Sequence, residues 1–223
     1  MMVKSVVFFK RKAGIPVDEF QAYWRTRHPD VVLKLPGVRR YVQSHTLTSI
    51  YAKREPVYDG IAELWADDLG ALRAMVKDPH DPAVKADEAQ FIDGASMRAI
   101  VTREHVIKDG SAPAGGIKSV EFVTRRPDLT IESFQRHWRE VHGPIAATIP
   151  VLRRYVQSHT LLETYARRPP AYDGAAITWF ESTAAMRHSA TTSEYARTRA
   201  DEPNFMAPGD VSTILTTEHV ILG

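Results

Sequence analysis

RRYVQSHTL at residues 39–47 returns letter for letter at residues 153–161. A shift of 153 − 39 = 114 residues then aligns nearly the whole chain without a gap: 41 of the 107 positions from 3 to 109 are identical in the second copy. KSV at 4 falls on KSV at 118, FQ-x-x-WR-x-x-H at 20 on the same pattern at 134, YDG at 58 on YDG at 172, and EHVI at 104 on EHVI at 218. A chain with an internal period is read as units. A unit of about 107 residues has domain size, which argues for two fused domains over a solenoid of short repeats.

Within one unit, residues 3–9 read as a strand. Residues 17–33 carry apolar or large side chains at 17, 20, 24, 28 and 31, one face of a helix, matched by Ile131, Phe134, Trp138, His142 and Ile145. Asp18 and Glu19 suit the first turn, Thr130 is a candidate N-cap in the second copy, and Pro29 and Gly143-Pro144 are expected to break both helices. The nonapeptide, rich in Tyr, Val and Thr after Pro36-Gly37, reads as a strand. Residues 58–65 give another, 67–77 a helix, and 98–108 a last strand; one short helix is expected around Asp87, Glu88 and Phe91. The order is βαββαβ, the ferredoxin-like arrangement.

Such a unit covers one sheet face with helices and leaves the other bare, so the second copy supplies the missing cover. The fold expected is therefore α+β: two fused ferredoxin-like units, residues 1–108 and 117–223, forming an intramolecular pseudo-dimeric α+β barrel, with DGSAPAGG at 109–116 as a flexible connection.

Composition narrows the functional classes. The chain has 223 residues, no cysteine, a formal charge of +2 and basic residues dispersed among 27 acidic ones. That pattern predicts neither a nucleic-acid stripe nor a membrane anchor, and the run from Val6 to Phe9 is too short for a signal segment. A cytoplasmic protein is expected. Glu104 and His105 are adjacent on a strand and point to opposite faces, no His-x-x-x-His appears, and Gly115-Gly116 lacks the context of a dinucleotide loop, so neither metal nor cofactor is expected.

The chemistry rests on a few side chains. His28 and His142 lie at the end of an apolar helix stripe, where burial and the helix dipole act on the imidazole in opposite directions, giving candidates for proton transfer. Tyr41 with His45, and Tyr155 with His159, are four residues apart on a strand and share a face, where a phenol and an imidazole can bind an enolate or phenolate oxygen. Asp59 and Asp173 are turn formers or orienting carboxylates for the helix-end histidines. Arg39 and Arg40 are strand-end charges or a clamp for a substrate carboxylate, and Trp24, Trp138, Trp65 and Trp179 are core or stacking residues. Glu63 and Arg103 become Ile177 and Thr217 together, as a salt-bridged pair would, whereas Val7 becomes Glu121.

KSVVFFKRK, FQAYWRTRHPD, LPGVRRYVQSH, YDGIAELW, DEAQF and TREHVI resemble, in order and twice over, the landmarks of the EthD-type family of the dimeric α+β barrel superfamily. The resemblance implies a fold that single-domain relatives complete by dimerising, and makes His28 and His142 the leading active-site residues. It implies cofactor-independent isomerase, decarboxylase, dehydratase or cyclase chemistry on a lactone, phenolic or polyketide-type small molecule. The rival readings are a haem-binding enzyme of the same superfamily and a non-catalytic ligand-binding or stress protein. Further homodimerisation of the whole chain is left open.

Overall fold

The computed structural model describes residues 1–166, 168–209 and 212–223. Its strands are β1 (Val3–Phe9), β2 (Arg40–Thr46), β3 (Gly60–Ala66), β4 (Arg98–Lys108), β5 (Ile117–Val123), β6 (Arg154–Thr160), β7 (Gly174–Phe180) and β8 (Ser212–Leu222). They close into one antiparallel barrel in the order β1-β3-β2-β8-β5-β7-β6-β4, and the chain is a pseudo-dimeric α+β barrel of two ferredoxin-like units. Two compact units result: residues 1–102 with 218–223, and residues 103–217. The second half of β4, from Arg103, thus belongs to the second unit, and the second half of β8, from Glu218, to the first.

In the first unit β3 lies antiparallel between β1 and β2, with Val6 opposite Glu63 and Tyr41 opposite Leu64. Side chains alternate across a strand, so VKSVVFF places Lys4, Val6 and Phe8 on one face and Val7 and Phe9 on the other. Both faces carry buried residues, which is why apolar side chains occur at either parity. The second unit repeats the arrangement with β7 between β5 and β6.

The helix layer of the first unit begins with α1 (Val17–Thr26), whose Phe20 and Trp24 are buried one turn apart, followed after a break by α2 (Pro29–Val32). Short α3 (Thr48–Tyr51) follows β2, α4 (Leu69–Met75) starts on an Asp68 cap, and α5 (Asp81–Phe91) returns across the face. Phe9, Phe20, Trp24, Tyr41 and Phe91 form the core between helices and sheet. In the second unit α6 (Ile131–His137) is capped by the Thr130 hydroxyl, which accepts from Ser133 N at 3.1 Å. The expected break at Gly143-Pro144 does not occur there. A π turn at Trp138–His142 carries the helix into α7 (Gly143–Ala147), with Gly143 N–H donating five residues back to Trp138 O. The wider turn lets the chain pass through Pro144, which has no N–H to give. Next come α8 (Leu162–Tyr165), α9 (Thr183–Ser189) and α10 (Ser193–Asp201).

The connection between the copies is fastened at its start. Arg154 Nη1 donates to Asp109 Oδ1 at 2.8 Å and to Gly110 O at 3.0 Å. A Cβ on Gly110 would lie 2.1 Å from Arg153 O. No helix among the described residues is long and apolar enough to cross a membrane.

Gly60 and Gly174 set the distance between helix and sheet. A Cβ at Gly60 would lie 2.5 Å from the Trp24 ring, and one at Gly174 would lie 2.6 Å from the Trp138 ring. Gly60→Ala should therefore lower stability by about 1–3 kcal/mol through overpacking, with Trp24→Phe restoring part of it in the same background. Urea denaturation is the measurement; an unchanged midpoint in Gly60→Ala would show that the indole does not fix this spacing.

Candidate active site

Trp24 lies on α1, and His28 follows the break after Thr26 as the residue that opens α2. Trp24 Nε1 donates to the Tyr41 hydroxyl at 3.3 Å, and the Trp24 ring stacks on His45 at 4.3 Å between centroids. His28 is buried, with its ring edge against Phe91. Its Nδ1 lies 2.7 Å from Asp87 Oδ2, and Tyr23 Oη donates to Asp87 Oδ1 at 2.6 Å. An ionised carboxylate only accepts, so His28 carries its proton on Nδ1 and leaves Nε2 with a free lone pair. Burial lowers the His28 pKa from its usual 6.5, against the opposing pull of Asp87. At neutral pH the ring is an uncharged base.

Gln43 organises the strand side of the site. Its Nε2 donates to Trp24 O at 2.8 Å and to Tyr41 Oη at 2.9 Å. Its Oε1 therefore accepts from His45 Nε2–H at 3.0 Å. The Tyr41 oxygen takes two hydrogen bonds, and its own O–H has no acceptor among the described residues. Burial pushes the Tyr41 pKa far up, so the hydroxyl stays a donor. His45 meets His219 edge-on at 4.6 Å, and burial, its neighbour His219 and Arg25 hold its pKa down at about 3.

The second unit repeats this set with one change of partner. Trp138 Nε1 donates to Tyr155 Oη at 3.2 Å, Gln157 Nε2 donates to Trp138 O at 2.7 Å and to Tyr155 Oη at 3.1 Å, and Gln157 Oε1 accepts from His159 at 2.9 Å. Burial raises the Tyr155 pKa and lowers that of His159 to about 2, with His105 beside the ring at 4.5 Å. His142 Nδ1 lies 3.1 Å from Asp201 Oδ2, and burial lowers its pKa to about 4. Where the first unit has Tyr23, the second has His137, whose Nε2 lies 3.1 and 3.2 Å from the two Asp201 oxygens.

The residues singled out by sequence divide between places. His28, Tyr41 and His45 gather on the helix face of one unit, and His142, Tyr155 and His159 on that of the other. Asp59 does not orient His28. It is a turn clamp, accepting from Arg11 N at 2.8 Å, Arg11 Nη1 at 2.6 Å and Tyr51 Oη at 2.5 Å. Asp173 takes Arg125 N and Tyr165 Oη in the same manner. Trp65 lies opposite Arg40 in the ladder, on the face turned away from Tyr41, under the Arg40 guanidinium and the Lys4 ammonium. Trp179 has Lys118 and Arg154 over its ring. Arg39 forms an exposed pair with Asp67, which contributes little stability.

The expected pairing of Glu63 with Arg103 fails on parity. Glu63 is held by Lys4 Nζ at 2.8 Å, with both side chains buried. Thr102 stands opposite Lys4 in the ladder, so Arg103, one residue on, points to the opposite face. Sequence reasoning also missed Asp87 and Asp201, Gln43 and Gln157, and His105 and His219. The repeat itself held the signal, because each pair is identical under the 114-residue shift.

An EthD domain model matches residues 12–95 and 126–209. The chain belongs to the EthD-domain family and carries the domain twice. No curated protein sequence gives a significant match. Among solved structures, an anthrone oxidase-like protein is 11% identical with a TM-score of 0.63, covering 98% of this chain and 92% of its own. A Lactobacillus acidophilus NCFM protein named as a candidate monooxygenase is 12% identical with a TM-score of 0.60, covering 99% and 97%. An EthD family protein from Bacillus halodurans C-125 is 20% identical, covering 47% of this chain and 100% of its own with a TM-score of 0.40.

A depressed imidazole pKa makes the folded state resist protonation, so its stability is full above about 6.5 and is lost as pH falls through the folded value. In nitrogen-detected NMR the rings of His45 and His159 should accordingly keep the neutral pattern, with the proton on Nε2, from pH 7 down to pH 5. Protonation of either ring near pH 6 would contradict the buried network.

Proposed function

We propose that the protein is an acid–base enzyme acting on a hydrophobic oxygenated small molecule of lactone, phenolic or polyketide type, without a cofactor. The observation that carries this reading is the pairing of an uncharged imidazole on a carboxylate with a buried phenol whose O–H is unspent. His28 Nε2, or His142 Nε2 in the second unit, removes a proton next to a carbonyl or from a phenol. The electron pair moves onto the substrate oxygen, and the O–H of Tyr41 or Tyr155 holds the charge there. Return of the proton to a different atom gives an isomerisation or cyclisation. Loss of carbon dioxide or water from the activated substrate gives a lyase reaction. The raised tyrosine pKa favours hydrogen-bond donation over proton release.

A second reading keeps the same first step and adds dioxygen to the resulting carbanion. It is favoured by the structures of similar fold named as anthrone oxidase-like and as a candidate monooxygenase. Their TM-scores of 0.63 and 0.60 support the shared fold, and oxygen consumption separates the two reactions.

The test offers phenols, lactones and aromatic polyketides to the protein in deuterated buffer, follows deuterium uptake into substrate by mass spectrometry, and records oxygen consumption. Exchange should be catalysed without added cofactor, and the double variant His28→Asn/His142→Asn should lose roughly 10²-fold or more of it. Oxygen use equal to product would select the second reading. Full exchange by a folded double variant would remove the histidines from the mechanism, and no turnover with any compound class would favour a pure binding protein.

A further inference from the structure

The two sites differ at the outer end of the carboxylate. In the first unit Asp87 holds His28 on one oxygen and the Tyr23 hydroxyl on the other. Its hydrogen bond to Asp87 raises the Tyr23 pKa, so this end keeps its proton at neutral pH. In the second unit Asp201 Oδ2 is shared by His142 Nδ1 at 3.1 Å and His137 Nε2 at 3.2 Å, while Oδ1 takes His137 Nε2 at 3.1 Å and the Asn204 amide at 2.9 Å. His142 is buried, whereas the His137 side chain is 27% exposed. A buried imidazole is thereby joined through one carboxylate to a second imidazole that reaches water.

We propose that His142, Asp201 and His137 form a proton relay that carries the proton taken up at the second site to solvent, an exit that the first site lacks because Tyr23 stands in place of His137. The relay rests on the reading of His142 as an acid–base group. As Nε2 of His142 gains the substrate proton, its Nδ1–H moves to Asp201 Oδ2. At rest His137 donates Nε2–H to the Asp201 carboxylate. Once the carboxyl is protonated, the exposed ring shifts that proton through water to Nδ1, accepts the Asp201 proton on Nε2 and releases the Nδ1 proton to water. His137 is then back in its resting form, and return of the His142 proton from Nε2 to Nδ1 resets the chain: one proton has entered from the substrate and one has left to water.

Two features make the carboxylate step accessible. Burial holds His142 down to about 4, which eases loss of its Nδ1 proton once Nε2 is protonated. Asn204 fixes the carboxylate by donating to Oδ1, and Phe205 stacks on the His137 ring at 5.4 Å and packs on His142 at 4.7 Å. The charged neighbours are Arg199 on α10, which disfavours the charged form of His142, and Glu202 in the following turn, which is bound to Arg199 at 2.7 Å. On their own helix the histidines have Arg136, Arg139 and Glu140 in neighbouring positions, and Arg139 pairs with Glu140 at 2.6 Å. His137 acts through His142 and is a relay residue, with no direct contact to substrate required.

The test reads the relay apart from turnover. In the full chain at pH 7, exchange of the His142 Nδ1 proton with water is measured by NMR, with the His28 Nδ1 proton as internal reference. The His142 proton should exchange at least about 10-fold faster than that of His28, and His137→Gln, which keeps a donor on Asp201 but cannot pass a proton through, should remove the difference. His137→Tyr copies the first unit and serves if the glutamine variant fails to fold. Tyr23→His should in turn accelerate exchange at His28. Equal exchange at His142 in the parent and in either folded His137 variant would overturn the relay. Relay behaviour in a protein that turns over no compound of the panel would leave the relay standing and defeat the functional reading on which its purpose rests.

Discussion

Everything at the two sites depends on one buried amide. Gln43 has three hydrogen-bonding obligations and meets all three within one unit: the Trp24 carbonyl, the Tyr41 oxygen and the His45 ring. Leaving any of these groups unpaired away from water would cost on the order of 1–3 kcal/mol. The amide also has a direction. Because its nitrogen is committed to two acceptors, its oxygen must take the His45 proton, and the tautomer of that ring follows. The filled Tyr41 oxygen in turn forces the phenolic proton outward. Gln157 imposes the same logic on Tyr155 and His159.

The opposite face of each sheet obeys a different constraint. Lys4 and Glu63 are buried together, an arrangement in which removing one partner costs far more than replacing both by apolar groups. The second unit has Ile177 where Glu63 stands, while its Lys118 keeps the place of Lys4 over the equivalent tryptophan. Such divergence on one face leaves the other undisturbed, because successive residues of a strand point to opposite faces. The hydrogen bonds among Tyr41, Gln43 and His45 accordingly recur in the second unit, where Ile177 stands in place of Glu63.

What the sequence disclosed follows the range of the interaction involved. Strand and helix positions came from spacing of two to four residues, and β1 and β4 run as expected over 3–9 and 98–108. The partner of His28 lies 59 residues away, so no local pattern points to Asp87. Asp59, offered by sequence as a turn former or an orienting carboxylate, is the former, because a carboxylate before a glycine at a strand start serves the backbone beside it. The joint disappearance of Glu63 and Arg103 imitated a contact, and only the ladder register shows that the two look in opposite directions. Gly143-Pro144 looked like a helix stop because a missing N–H usually ends the ladder. One widened turn absorbs it, and sequence offers no sign of that choice.

The unbroken nonapeptide now has a physical reading. Arg39 pairs with Asp67, Arg40 covers Trp65, Tyr41, Gln43 and His45 share the buried network, and Thr46 donates to Tyr58 O. Six of the nine positions answer to a specific partner, and the second copy repeats these contacts, with Glu181 in place of Asp67. His45 packs on His219 and His159 on His105, so each copy of the nonapeptide meets the terminal strand segment encoded by the other copy. A substitution in one copy must therefore suit residues that belong, by sequence, to its twin. That mutual dependence holds both copies to one solution. The outer position at Tyr23 and His137 bonds the carboxylate of its own unit and packs on a neighbouring ring, and there the two sites differ.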